Sequence, residues 1–260
     1  MTDSSQARYA VYYAPPAGGG LWRLAQRWLG RDCETGAVLE QPPLDGWSAA
    51  EIAAATESPR HYGFHATLKA PFRLAPGRSP RELQEALAAF AAGRPAFLAP
   101  PLKVSAIGAF IALTLSAPSA GMQALAAAAV AELDGFRAPL SESDLQRRLE
   151  SGLSARQQAL LQQWGYPYVM EEFRFHMTLT GALRPPAFAT ERRERLQTQL
   201  AALFRPELSQ PVPVREICLY TQAAREQPFL LAGRFQLGPA RGAAAGNPDL
   251  RSHDNGQAMP

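Results

Sequence analysis

Cysteine is scarce in this 260-residue chain, which has Cys33 and Cys218 and no others. Two thiols so far apart form neither a disulfide framework nor a metal knuckle, so both read as packing residues. Histidine is nearly as rare, at four residues. No apolar run approaches the 18 or so residues needed to span a membrane. The opening Met1–Gln6 stretch lacks the basic and apolar regions of a secretion signal, and a cytoplasmic location is expected. Long basic runs are absent too, since only Arg147-Arg148 and Arg192-Arg193 are adjacent pairs, each on an expected helix where a solvated face is the plain reading. With 26 Lys and Arg against 23 Asp and Glu, the net charge of +3 suits an anionic substrate but falls short of a surface that coats nucleic acid. The balance of 47% hydrophobic and 19% charged residues is that of an ordinary globular protein, long enough for one domain with two lobes.

Two of the four histidines sit in one repeated pattern, Phe64-His65-Ala66-Thr67-Leu68 and Phe175-His176-Met177-Thr178-Leu179. A second Phe-His-x-Thr-Leu would arise by chance in roughly one chain of this length in a thousand. As β-strands, both copies place His and Thr on one face and the apolar residues on the other. Around the second copy, Phe173, Phe175, Met177 and Leu179 alternate with Arg174, His176, Thr178 and Thr180, which predicts a half-buried strand over 173–180. Imidazole and hydroxyl then stand about 6 to 7 Å apart at the backbone, a separation that straddles a tetrahedral phosphate.

Phosphodiester hydrolysis needs a base to activate water and an acid to protonate the leaving oxygen, and histidine titrates nearest neutrality. His65 and His176 can divide those roles, which predicts a bell-shaped pH–rate profile, while Thr67 and Thr178 hold the nonbridging oxygens. Lys69 and Arg174 share the parity of the catalytic face and are candidate phosphate contacts. Tyr62 and Tyr168, with Trp164 and Tyr166, are candidate walls of the pocket. Neither a metal nor another cofactor is required by this chemistry. The rival metal reading joins His61, His65 and His176. Gly63 argues against a helix through the first two, and no Asp or Glu accompanies either motif face.

Along the chain, a first strand is expected over 8–14 and a helix over 21–29 that stops at Gly30. Ser48 with Glu51 opens a short helix to Thr56, and Ser79-Pro80 opens another to Ala92. Strands over 97–107 and 109–116 flank Gly108, and a helix runs from about Ser119 to Leu133. Residues 139–163 read as an inserted helical pair capped by Ser141 and by Ser154 with Gln157. A helix over 190–204 and strands over 212–220 and 228–237 follow. From Pro239 the composition predicts a disordered tail, in which His253 has no role.

The words Tyr62-Gly63-Phe64-His65-Ala66-Thr67-Leu68-Lys69 and Arg174-Phe175-His176-Met177-Thr178-Leu179-Thr180 resemble the 2H phosphoesterase superfamily, named for two His-x-Ser/Thr motifs. They look most like a bacterial branch associated with phosphonate-utilisation operons, and the resemblance covers roughly residues 8 to 238. It implies an α+β fold of two duplicated lobes, each an antiparallel sheet with outer helices, whose motifs face a central cleft within a single domain spanning 1–238. It also implies a metal-independent cyclic phosphodiesterase acting on a small phosphorylated sugar, plausibly a ribosyl cyclic phosphate. An RNA or nucleotide 2′,3′-cyclic phosphodiesterase, or an RNA 2′,5′-ligase-like enzyme, is the alternative within the superfamily. A binding module that recognises phosphate without turnover is the alternative outside it. No membrane partner is expected, and a monomer is plausible.

Overall fold

A computed structural model describes residues 7–150 and 152–239; the expected tail beyond Pro239 lies outside the described residues. Strand β1 (Arg8–Tyr13) leads through helices α1 (Gly20–Leu29) and α2 (Ala49–Tyr62) to β2 (Ala66–Phe72), which carries the first motif. Helix α3 (Pro80–Ala92) and strands β3 (Phe97–Ala99), β4 (Leu102–Ile107) and β5 (Phe110–Leu115) come next, followed by α4 (Ala120–Glu132), α5 (Glu142–Leu149) and α6 (Ala155–Trp164). The second motif lies on β6 (His176–Thr178), and α7 (Thr190–Leu208), β7 (Val212–Val214), β8 (Glu216–Gln222) and β9 (Leu230–Gln236) complete the fold. Full capping boxes at Ser48 with Glu51, Ser79 with Glu82 and Ser154 with Gln157 satisfy the free amides that open α2, α3 and α6. Gly30 ends α1 in the left-handed conformation.

Seven strands form one antiparallel sheet in the order β4-β5-β6-β2-β1-β8-β9, and β3 pairs with β7 apart from it. The α+β class, the antiparallel pairing and the outer helices are as expected. The strands of the two halves join into this one sheet, so the motif strands β2 and β6 lie side by side at its middle. Alternation along β1 sends Tyr9, Val11 and Tyr13 into the main core. Ala10, Tyr12 and Ala14 go to a second cluster with Cys33, Cys218, Tyr220 and Phe229. Both cysteines are buried free thiols in that cluster, as packing residues should be.

Four expected boundaries move, each for a local reason. Helix α2 continues through Pro59 to Tyr62, where an end at Thr56 was expected. A proline cannot bond the carbonyl four residues back, but that carbonyl, Ala55 O, accepts the Gly181 amide at 2.7 Å, so no acceptor is stranded. Strand β6 keeps only three of the expected eight residues, because after Thr178 the amides of Leu179 and Thr180 both turn onto Ile111 O. Pro100-Pro101 separates β3 from β4, and the run over 212–220 divides at Arg215 into β7 and β8.

Candidate active site

Ala66 of β2 pairs with Met177 of β6, and both are fully buried on the core side. In an antiparallel register this puts His65 opposite Thr178 and Thr67 opposite His176, four side chains in a square on the other face of the sheet. Neighbouring strands extend it: Tyr12 of β1 pairs with Thr67, and Thr114 of β5 pairs with His176.

Each imidazole is held by the carbonyl two residues before it. His65 Nδ1–H donates to Gly63 O at 2.9 Å, and His176 Nδ1–H donates to Arg174 O at 2.8 Å. A carbonyl only accepts, so it selects the Nδ1–H tautomer and leaves Nε2 of a neutral ring as the reactive nitrogen. The Thr67 hydroxyl lies 3.2 Å from His65 Nε2. For His65 the carbonyl is available because Gly63 adopts φ +79° at the end of α2. A Cβ there would stand 2.9 Å from Cys33 Cβ.

The two rings have different surroundings. His65 stacks on the buried ring of Tyr12, with centroids 3.6 Å apart and planes 18° apart. Burial pushes the His65 imidazole down to about 4; the Gly63 hydrogen bond opposes this and His176 adds a little to it. By accessible surface His65 is only half-buried, because one edge opens on the cleft. His176 is also half-buried and stands beside Phe110 at 5.7 Å.

A cavity of about 320 Å³ contains all four motif side chains and is walled by Tyr12, Tyr62 and Tyr166, with Arg8 and Arg148 at its border. Tyr62 lies 6.4 Å from His65 and stacks on Phe229. Arg174, exposed, and Tyr168, 45% exposed, line an adjoining cavity of about 570 Å³ that reaches His176 and Thr67. Tyr168 meets Tyr166 edge-on at 5.6 Å. Lys69 departs from its expected face. Register shifts bracket it in the β1–β2 ladder, and its buried ammonium donates to Val130 O and pairs with Asp134, each at 3.0 Å.

His61 turns away from the motif histidines, its Nε2 2.8 Å from Gln222 Nε2. Among the described residues no three His, Cys, Asp or Glu side chains gather to hold a metal ion. The sequence reading missed Tyr12 and Arg8. Both belong to the first strand, whose β-formers carry no sign of which neighbour they meet.

Residues 67–230 match the family described as "Protein of unknown function (DUF1045)". The ribose 1,5-bisphosphate phosphokinase PhnN of Janthinobacterium sp. (strain Marseille) is 40% identical over 183 residues, covering 70% of this chain and 40% of that protein. The protein of the same name from Laribacter hongkongensis (strain HLHK9) is 40% identical over 176 residues, covering 68% and 40%. The chain thus spans about two fifths of the length of these curated relatives. Among solved structures, E. coli LigT in apo form is similar at 15% identity with a TM-score of 0.40, covering 90% of this chain and 99% of LigT, a likeness too distant to carry function. With 164 of its 260 residues inside the match, the chain belongs to the DUF1045 family.

Proposed function

We propose that this chain is a phosphodiesterase that opens a cyclic phosphate diester on a small phosphorylated sugar by metal-independent two-histidine catalysis. The observation that carries the proposal is the square of His65, Thr67, His176 and Thr178, with both Nδ1 atoms tied to carbonyls. His65, neutral at physiological pH, takes a proton from water through Nε2 as the water oxygen bonds to phosphorus. His176 enters protonated and gives its Nε2 proton to the sugar oxygen as the P–O bond breaks, leaving a phosphate monoester. The two threonine hydroxyls hold the nonbridging oxygens and support their charge in the transition state. Arg174, Tyr62 and Tyr168 line the approach.

Two observations favour a small substrate. The cavity of about 320 Å³ is at the low end for small-molecule sites, and tyrosines narrow it. The relatives are named for a kinase of ribose 1,5-bisphosphate, a phosphorylated pentose, and this chain is similar to about 40% of each.

The test is turnover of ribose 1,2-cyclic phosphate, nucleoside 2′,3′-cyclic phosphates and a short RNA ending in a 2′,3′-cyclic phosphate, each with and without a chelator. We expect the ribose compound to have the highest kcat/KM and the chelator to have no effect. His65→Ala and His176→Ala should each lower kcat by at least about 10² in a folded protein. Wild-type turnover in both variants would remove the histidines from the mechanism. Highest kcat/KM on the RNA would transfer the assignment to the nucleic-acid reading.

A further inference from the structure

A second cavity, of about 330 Å³, adjoins the histidine cleft and shares with it Arg8, Tyr62, Arg148 and Tyr166. Seven cationic side chains line it; Lys69 and Arg137 are paired with Asp134, which leaves five arginines against the one carboxylate in its lining, Asp144. The cluster is gathered from distant parts of the chain: Arg8 opens β1, Arg73 follows β2, Arg147 and Arg148 lie on α5, and Arg225 sits between β8 and β9. Three guanidiniums, those of Arg73, Arg147 and Arg225, crowd the one Asp144 carboxylate, with Arg225 at 3.3 Å and Arg73 at 3.8 Å.

One carboxylate cannot neutralise three guanidiniums, so positive charge is left over in a walled space. Arg147 and Arg225 remain about half exposed, with donors to spare, since each guanidinium has five N–H groups. Burial lowers the pKa of Arg8 and of Arg148, and Arg225 and Arg147 respectively push the same way, as expected for cations pressed together. A solvated basic face would hold its cations apart in water, whereas these converge on a hollow beside the reacting phosphate.

We propose that this cavity binds a second phosphate group on the same small substrate, so that the preferred molecule carries a phosphate monoester one sugar ring away from its cyclic diester. The inference rests on the phosphodiesterase reading above. Arginine forks match phosphate oxygens in pairs, and a dianion is the group best able to offset the excess charge. Arg8 and Arg148, bordering both cavities, set the span at a single small molecule. The substrate would bind with its monoester among Arg73, Arg147 and Arg225 and its cyclic phosphate over the histidines.

The test compares kcat/KM for ribose 1,2-cyclic phosphate with and without a 5-phosphate, in wild type and in Arg73→Gln, Arg225→Gln and Arg225→Lys. The full chain should prefer the 5-phosphorylated compound, and each Gln variant should reduce that preference about 10- to 100-fold, chiefly through KM, as expected for one charge-assisted hydrogen bond. Arg225→Lys should retain part of it. Because the readout is a ratio between two substrates, a general loss of fold or chemistry cancels. An unchanged ratio in both Gln variants overturns the subsite, as does a wild type without the preference. A dinucleotide ending in 2′,3′-cyclic phosphate that shows the Arg-dependent gain in place of the sugar overturns it in favour of a nucleic-acid strand. If neither ribose compound is turned over, the reading of a phosphodiesterase for a small sugar fails by itself. Calorimetric binding of ribose 5-phosphate then decides the subsite: weakening by Arg225→Gln supports it, and no binding to wild type rejects it.

Discussion

Replacing Tyr12 by Leu should change the pH dependence of the enzyme more than its capacity for catalysis. In the wild type the His65 imidazole is pushed down from 6.5 to about 4 by burial, and the ring stacked on it at 3.6 Å belongs to Tyr12. The gap of about two and a half pH units corresponds to about 3 kcal/mol against the charged ring, at 1.36 kcal/mol per unit. The sign follows from linkage. A folded state that binds the proton less tightly than the unfolded chain loses stability as pH falls from about 6.5 to 4 and is at full stability above that range. On the proposed mechanism the same protonation removes the base, so the acid limb of wild-type kcat/KM should lie near pH 4, with a plateau reaching down to about pH 5. Leucine keeps an apolar filler in a core position at a cost of about 1–3 kcal/mol, but it uncovers one face of the imidazole. His65 should then titrate one to two units higher and carry the acid limb with it. NMR titration of the His65 ring and pH–rate profiles of both proteins measure the effect. A wild-type midpoint near 6.5, or an acid limb unmoved in Tyr12→Leu, would refute the argument.

Gly63→Ala places a methyl group 2.9 Å from Cys33 Cβ at φ +79° and ψ 171°, a region nearly reserved for glycine. We expect a loss of about 2–4 kcal/mol in denaturant unfolding together with a fall in kcat, because the carbonyl that orients His65 must move; a variant with normal stability and rate would show that neither the conformation nor that carbonyl matters. Lys69→Met should lower stability by about 1–3 kcal/mol, less than the full cost of breaking a buried pair because Arg137 still faces Asp134. An unchanged melting temperature with a raised KM would instead return Lys69 to phosphate binding.

The motif residues were legible because strand alternation is a local property that the sequence states directly. Their arrangement was not. Whether two His-x-Thr strands face each other across a gap or lie edge to edge depends on the pairing of Ala66 with Met177, a contact 111 residues apart in sequence. Lys69 shows how alternation fails, since two register shifts against β1 are enough to turn it from the catalytic face toward α4. The helix was expected to end at Thr56, short of Pro59, because the donor that satisfies the carbonyl Pro59 leaves free, the Gly181 amide, lies just past the second motif. The basic cavity was hidden for the same reason. Arg147-Arg148 alone is an ordinary solvated pair, and only the approach of Arg8, Arg73 and Arg225 gives it a partner face.

Acid–base catalysis by a repeated motif requires that the repeat be broken, because two identical imidazoles in identical settings have no reason to start in different protonation states. The sequence difference between the copies is small, Ala66 against Met177, and both of those side chains are buried on the far face. The asymmetry comes from the neighbouring strands. β1 lays Tyr12 over His65, and the residue that supplies its carbonyl is a buried glycine closing a helix. β5 gives His176 the edge of Phe110, and its carbonyl comes from Arg174, which is exposed to solvent. Desolvation therefore acts on His65 in the direction that keeps it neutral, and on the proposed mechanism the proton-donating role falls to His176, which lines the adjoining open cavity. The proposed mechanism then fixes the substrate's orientation by the same asymmetry: the scissile sugar oxygen would point toward His176, and the attacking water would enter on the Tyr12 side.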